Sequence, residues 1–381
     1  MRDARPYSNF FKYVTLNGKN RRDLTTTRSI DDEIFSSLAY ISEIPSVGKE
    51  FIAKANPNAS EEELENIFLL IRAFLRQAKT FYDSAKSLHH RARPLNYYYS
   101  FLNLAKAYIA ITNPNAVNEV IHHGLRRAGI PGNFSNERVI VLNDGAFPLF
   151  YNKLLDTNLP NNYEINILST LGYVSDISHE YVNAAFGQSQ YLTGMCRVQI
   201  NNTKDKAIGT LAIWDSNRLQ NHPNTKNHLG THFDEVQLPE QVIRTQFDLF
   251  AEHRYGCIFL ETKKEYDVNA NIDPRIVVCN DSWNVLRPLF LPWPYRNWQR
   301  EFLLCIPLKD NLATPFNEVL AIYVMMFYLS NLVRYFPHYL EGILESKEAW
   351  LVESFTMSAP ATFLRHMGNL IVGEDRVYSF S

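Results

Sequence analysis

SEEELENIFLLIRAFLRQAKTFYDSAKSLHHRARPLNYYYSFLNLAKAYIAITNP, residues 60–114, carries two helical periodicities with a proline between them. Ser60 and Glu63 form an S-x-x-E capping box, which satisfies amides left open at a helix start. Leu64, Ile67, Ile71, Phe74, Ala78, Phe81, Ala85 and Leu88 follow in 3–4 alternation, the spacing of a seam that packs lengthwise on partner helices. Pro94 disfavours helical geometry in the residue before it and ends that helix. A second helix starts near Leu95, lines one face with Tyr98, Tyr99, Leu102, Ala105 and Ile109, and stops at Asn113-Pro114. Together they predict an antiparallel helical hairpin.

Outward from the hairpin the pattern changes. Residues 1–28 are locally basic, with Arg21 and Arg22 as candidate nucleic-acid contacts. The favoured reading is an extended segment anchored by Tyr7, Phe10, Phe11 and Tyr13. From about 134 onward, Arg138–Asn143, Glu164–Leu168, Arg197–Ile200, Ala207–Trp214, Cys257–Thr262, Arg275–Cys279 and Phe302–Ile306 are short, rich in β-branched residues and bounded by turns. No regular strand–helix alternation joins them, so the sheet should be mixed or antiparallel. Asn217–Glu235 is polar and reads as a surface loop. Asn317–Arg334 is a long apolar helix and Tyr339–Ser346 a short one; the last helix, in Ser358–Gly373, should break at Pro360. The expected fold is α+β: a basic segment and helical hairpin in 1–130, a β-rich region in 131–310, and C-terminal helices in 311–381 that pack on the hairpin.

The chain has 381 residues and a formal net charge of -2, which excludes a bulk polybasic nucleic-acid binder. Its four cysteines are far apart, which speaks against a disulfide framework or zinc site. The N-terminus lacks the apolar run of a signal peptide, and the Val319–Val333 segment is too short to span a bilayer, so a cytoplasmic protein is expected, with no membrane partner. No P-loop, G-x-G-x-x-G or G-x-S-x-G motif occurs, so no cofactor is expected.

Two places carry candidate chemistry. Arg334 and His338, at the end of the apolar helix, have the residue types that stabilise a phosphate transition state and move a proton. The favoured alternative is that both cap the last helix carbonyls. Arg287, Trp293, Tyr295, Arg296, Trp298 and Arg300 interleave arginines with aromatics, a pattern suited to a protein hot spot or to stacked bases. His222, His228 and His232 invite a metal reading, but Pro223 and Gly230 argue against the helix it needs, so no metal site is expected. His122-His123-Gly124 reads as a cap with glycine in the left-handed conformation, followed by Arg126 and Arg127.

RARPLNYYYSFLNLAKAYI (91–109), HHGL (122–125), MMFYLSNLVRYFPHYLEGI (325–343) and WLVESF (350–355) resemble the YaaC-like proteins of bacteria. That resemblance implies an architecture and a bacterial cytoplasmic setting, without a reaction. A second resemblance is to HEPN domains, helical bundles that often act as metal-independent ribonucleases. It rests on Tyr97-Tyr98-Tyr99 followed by Lys106-Ala107. It would make Arg334 and His338 catalytic, although HEPN signatures space this pair further apart and Pro337 intervenes here. The leading expectation is a non-catalytic binding or assembly component with a protein partner or a second copy. A HEPN-like ribonuclease or toxin-like effector is the alternative, and a subunit binding RNA or DNA the third.

Overall fold

The computed structural model describes residues 7–11, 21–26, 28–118, 122–128, 134–184, 187–201, 203, 205–246, 256–268, 278, 292–293, 303–308 and 316–380. In chain order the strands are β1 (Tyr7–Phe11), β2 (Arg21–Thr26), β3 (Leu125–Ala128), β4 (Arg138–Val141), β5 (Glu164–Asn166), β6 (Tyr191–Asn201), β7 (Lys206–Ile213), β8 (Phe233–Val236), β9 (Ile258–Thr262), β10 (Tyr266–Asp267), β11 (Pro292–Trp293), β12 (Leu303–Pro307) and β13 (Asp375–Phe380). The helices are α1 (Ile30–Glu43), α2 (Pro45–Ala55), α3 (Glu61–Ser87), α4 (Arg93–Ala110), α5 (Asn115–Asn118), α6 (Ala146–Leu155), α7 (Ile167–Leu171), α8 (Ser178–Asn183), α9 (Ser216–Gln220), α10 (Pro223–His232), α11 (Glu240–Gln246), α12 (Glu318–Tyr335), α13 (Pro337–Leu344) and α14 (Ala349–Val372). The fold is α+β with antiparallel sheets. It divides into a sheet unit (1–25, 190–317, 374–379) and a helical unit (26–189, 318–373, 380–381). Residues 131–189, grouped by sequence with the later strands, thus belong with the helices.

In the helical unit the capping box at Ser60 forms as expected, with Glu63 N–H donating to Ser60 Oγ and Ser60 N–H to the Glu63 carboxylate. The buried stripe of α3 is Leu64, Ile67, Phe68, Ile71, Leu75, Ala78, Tyr82 and Ala85. Phe74 and Phe81, expected in the seam, are half-buried instead. The seam leans to the i+4 side because α4 meets it there: Ser100 Oγ donates to the Ala78 carbonyl, and Tyr97 packs edge-on against Tyr82. Phe81 stacks on Tyr99 at the rim.

The C-terminal helices pack on this hairpin. From Glu318 to Ser330 every residue of α12 is buried, as expected of a helix apolar all round. Tyr98 of α4 meets Tyr323 and Phe327 of α12 edge-on, with centroids 5.7 and 5.4 Å away. Phe101 stacks on Phe363 of α14 at 3.9 Å. The break expected at Pro360 does not occur, and α14 runs through it. Its buried face, including Phe355, Ala359, Phe363 and Met367, continues on both sides of the proline and offsets the lost hydrogen bond. The start of α12 is pinned by Glu318: its buried carboxylate accepts from Ser175 N–H (2.7 Å) and Ser175 Oγ (2.5 Å) and lies 3.3 Å from His366 Nε2. A small antiparallel sheet, β3-β4-β5, completes the unit, with Leu125 opposite Val141 and Arg138 opposite Asn166.

The sheet unit is built on β11-β12-β6-β7-β9-β8, with β1 also paired to β6 and β10 to β7, all antiparallel. One face carries Val198, Leu211, Ile213, Ile258 and Leu260; the other carries Met195, Ala212 and Phe259 beside a buried polar row of Arg197, Thr210 and Glu261. The loop expected over Asn217–Glu235 is instead α10 followed by β8, because Pro223 occupies a first-turn position where its missing N–H costs nothing. The strand expected at Glu164–Leu168 gives way after Asn166, whose side chain caps α7 by accepting from Ser169 N–H. The strand expected at Arg275–Cys279 falls almost wholly outside the described residues. Among the described residues no single helix is long and apolar enough to cross a membrane.

Candidate functional site: a basic cavity at the end of the central helix

The site begins with three residues, His122-His123-Gly124. Helix α6 opens with amides that have no partner within the helix. Ala146 N–H donates to the His122 carbonyl (2.9 Å) and Phe147 N–H to the His123 carbonyl (3.1 Å). The close approach requires glycine on both sides: Gly124 has φ +74° and Gly145 φ +107°, and a Cβ on Gly145 would lie 2.6 Å from Gly124 Cα. His122 Nδ1 accepts from Gly124 N–H, so its Nε2 carries the proton and donates to Asp144 at 2.8 Å.

His123 points the other way, into aromatic surroundings. Its Nδ1 is 2.8 Å from the Tyr98 hydroxyl, and its ring lies 6.0 Å from Phe327. Burial first, then the positive charges of Arg334 and Lys106, push its pKa down to about 4. His123 sits against the second turn of α4, the end of the hairpin that also bears His89 and His90.

After Gly124 the chain enters β3. Arg126 is exposed, whereas Arg127 forms an ion pair with Glu137 at 3.1 Å, their side chains only 7% and 4% exposed. The Arg127 guanidinium also lies 4.4 Å from the centre of the Phe336 ring. From the opposite side comes the end of α12, cut off by Pro337; α13 departs at 119°. Arg334 donates from Nη1 to the Tyr99 hydroxyl at 3.0 Å, and its Nε is buried without a hydrogen-bond partner. These elements line an open cavity of about 460 Å³. Its polar lining is His123, Arg126, Arg127, Asn331 and Arg334; Phe327, Tyr335 and Phe336 supply the aromatic walls. That size and composition fit a small-molecule site.

Of the residues singled out from sequence, Arg334 lines this cavity. His338 does not; it is exposed on the first turn of α13, 4.2 Å from the Tyr339 ring. The proline bend separates the two. Arg287, Tyr295, Arg296, Trp298 and Arg300 lie outside the described residues. Trp293 is on β11, opposite Leu303 of β12. Arg21 and Arg22 lie on β2, which pairs with β13. His228 and His232 do share a helix, contrary to expectation, yet among the described residues no three His, Cys, Asp or Glu side chains gather as metal ligands. Sequence reasoning missed the combination of His123, Arg126 and Arg127 with Arg334. The signal present was HHGLRR, a glycine able to turn the chain and a basic pair directly after it.

No curated protein and no solved structure matches the chain. The sequence model of one family, YaaC-like Protein, matches residues 46–371, a span holding the whole cavity. The chain therefore belongs to the YaaC-like family.

Proposed function

We propose that this protein is a non-catalytic binding component whose cavity at the end of α12 receives an anionic group of its ligand. The observation that carries this reading is charge: three guanidinium groups line one cavity and, among the described residues, no carboxylate lines it. Low-dielectric aromatic walls strengthen the attraction of such a cluster for an anion. Arginine suits oxyanions because its planar fork donates parallel hydrogen bonds. The non-catalytic part is supported by His123, which stays neutral at pH 7 and is too weak a base for efficient proton abstraction. A protein partner or a second copy at the arginine-aromatic stretch 287–300 belongs to the same proposal and rests on sequence pattern.

The test is thermal unfolding with inorganic phosphate against sodium chloride of equal ionic strength. Phosphate should raise the melting temperature of the wild type beyond the salt control, by ligand linkage. Arg126→Ala, a change at an exposed side chain, should remove most of that rise. Equal shifts with phosphate and chloride would overturn the reading.

One observation favours a second reading, HEPN-like ribonuclease activity: Arg334 shares its cavity with a histidine, His123. Cleavage of end-labelled RNA in EDTA by the wild type, lost in His123→Gln, would put that reading first.

A further inference from the structure

We infer that the ligand of this cavity is a phosphate monoester carried on a planar ring, a nucleoside monophosphate, with Tyr335 as the platform for the ring. The inference rests on the anion-binding reading and deepens it.

The first argument is charge. Glu137 neutralises Arg127 at 3.1 Å. Arg126 and Arg334 then leave the lining with about two positive charges. A carboxylate or a phosphodiester carries one negative charge and would leave one guanidinium unmatched. A phosphate monoester carries about −1.5 to −2 at neutral pH and has three strong acceptor oxygens. Those acceptors have donors to meet: the Arg334 guanidinium, the Asn331 amide and the exposed Arg126 guanidinium.

The second argument is the aromatic wall, whose three rings are differently engaged. Phe327 is buried in the core. Phe336 has the Arg127 guanidinium 4.4 Å from its centre. Tyr335 is 62% exposed, an unusual state for a large aromatic beside a cavity, with the Arg334 guanidinium 5.1 Å from its centroid. An exposed ring flanked by a cation offers a planar ligand both stacking and cation–π attraction. Tyr335 adjoins Arg334 in sequence, so ring platform and phosphate donor are one residue apart.

A free nucleotide and the 5′-phosphorylated end of a nucleic-acid strand present the same chemistry. The experiment is calorimetric titration of the full chain with AMP, adenosine, inorganic phosphate, citrate and a 5′-phosphorylated dinucleotide. AMP should bind at least tenfold more tightly than inorganic phosphate, and adenosine should not bind measurably. Tyr335→Ala should weaken AMP about tenfold and leave inorganic phosphate unchanged. Arg126→Ala should weaken both. A dinucleotide that binds as AMP does, or more tightly, supports the shared chemistry and names a strand end as its source. If phosphate and AMP bind equally and Tyr335→Ala changes neither, the ring is wrong while anion binding stands. Citrate binding as tightly as AMP would overturn the phosphate assignment. If no anion binds, both readings fall.

Discussion

Gly124 builds the site by lacking a side chain. A Cβ there would lie 2.4 Å from Pro148 Cδ, and its φ of +74° is one that other residues adopt at a cost. Gly124→Ala should therefore lose at least about 1 kcal/mol of stability in urea denaturation and weaken phosphate binding, since His123 and β3 both hang on this turn. His123 gives a pH signature. Its folded pKa of about 4 lies below the ordinary 6.5, so between these values the unfolded chain holds a proton that the folded chain does not. Stability should fall as pH drops from about 6.5 through 4. The window is absent above pH 7. His123→Gln keeps a polar neutral group and should flatten this part of the pH–stability curve. An unchanged slope in the variant would show that His123 is not the residue titrating. The sequence could propose the left-handed glycine. It could not show that the neighbouring carbonyls cap a helix starting at residue 146, because that contact is between segments the chain brings together only on folding.

Helix α14 shows how packing overrides a local signal. Pro360 should end a helix in isolation, and it does not here because a buried face runs along the whole element. The stacked pair Phe101 and Phe363 joins that face to α4. Phe101→Ala should cost about 3–5 kcal/mol in urea denaturation, the range for emptying a buried aromatic position. A loss below about 1 kcal/mol would mean the two helices do not pack as described. Elements with their own end signals were legible: α3 from Ser60 and Glu63, α4 from Pro94, α12 from its apolar run. Helices α1 and α2 were missed although Ser29 and Pro45 mark their starts, because each is about half the length of α3 or less and repeats its apolar spacing over fewer turns. In α3 the heptad pattern fitted a seam to either side of Leu64, Ile71, Ala78 and Ala85; only the partner α4 decides for Leu75 and Tyr82 over Phe74 and Phe81.

At the scale of the molecule, every residue lining the cavity falls in the helical unit, which is discontinuous in sequence. Arg126 and Arg334 are far apart in the chain and meet only because α12 packs on the first hairpin; this is why sequence gave Arg334 a local partner, His338, that faces solvent. Each unit has its own core, so scanning calorimetry should show two transitions. Phosphate should raise only the one assigned to the helical unit, an assignment that Phe101→Ala makes by lowering that same transition. A shift of both transitions, or of the sheet unit's alone, would place the bound anion elsewhere. The most direct measurement is titration of inorganic phosphate into the wild type and Arg334→Gln at fixed ionic strength. One saturable site in the wild type, weakened tenfold or more in the variant, is the predicted result. Identical isotherms, or no saturable heat from the wild type, would contradict an anion site at the end of the central helix.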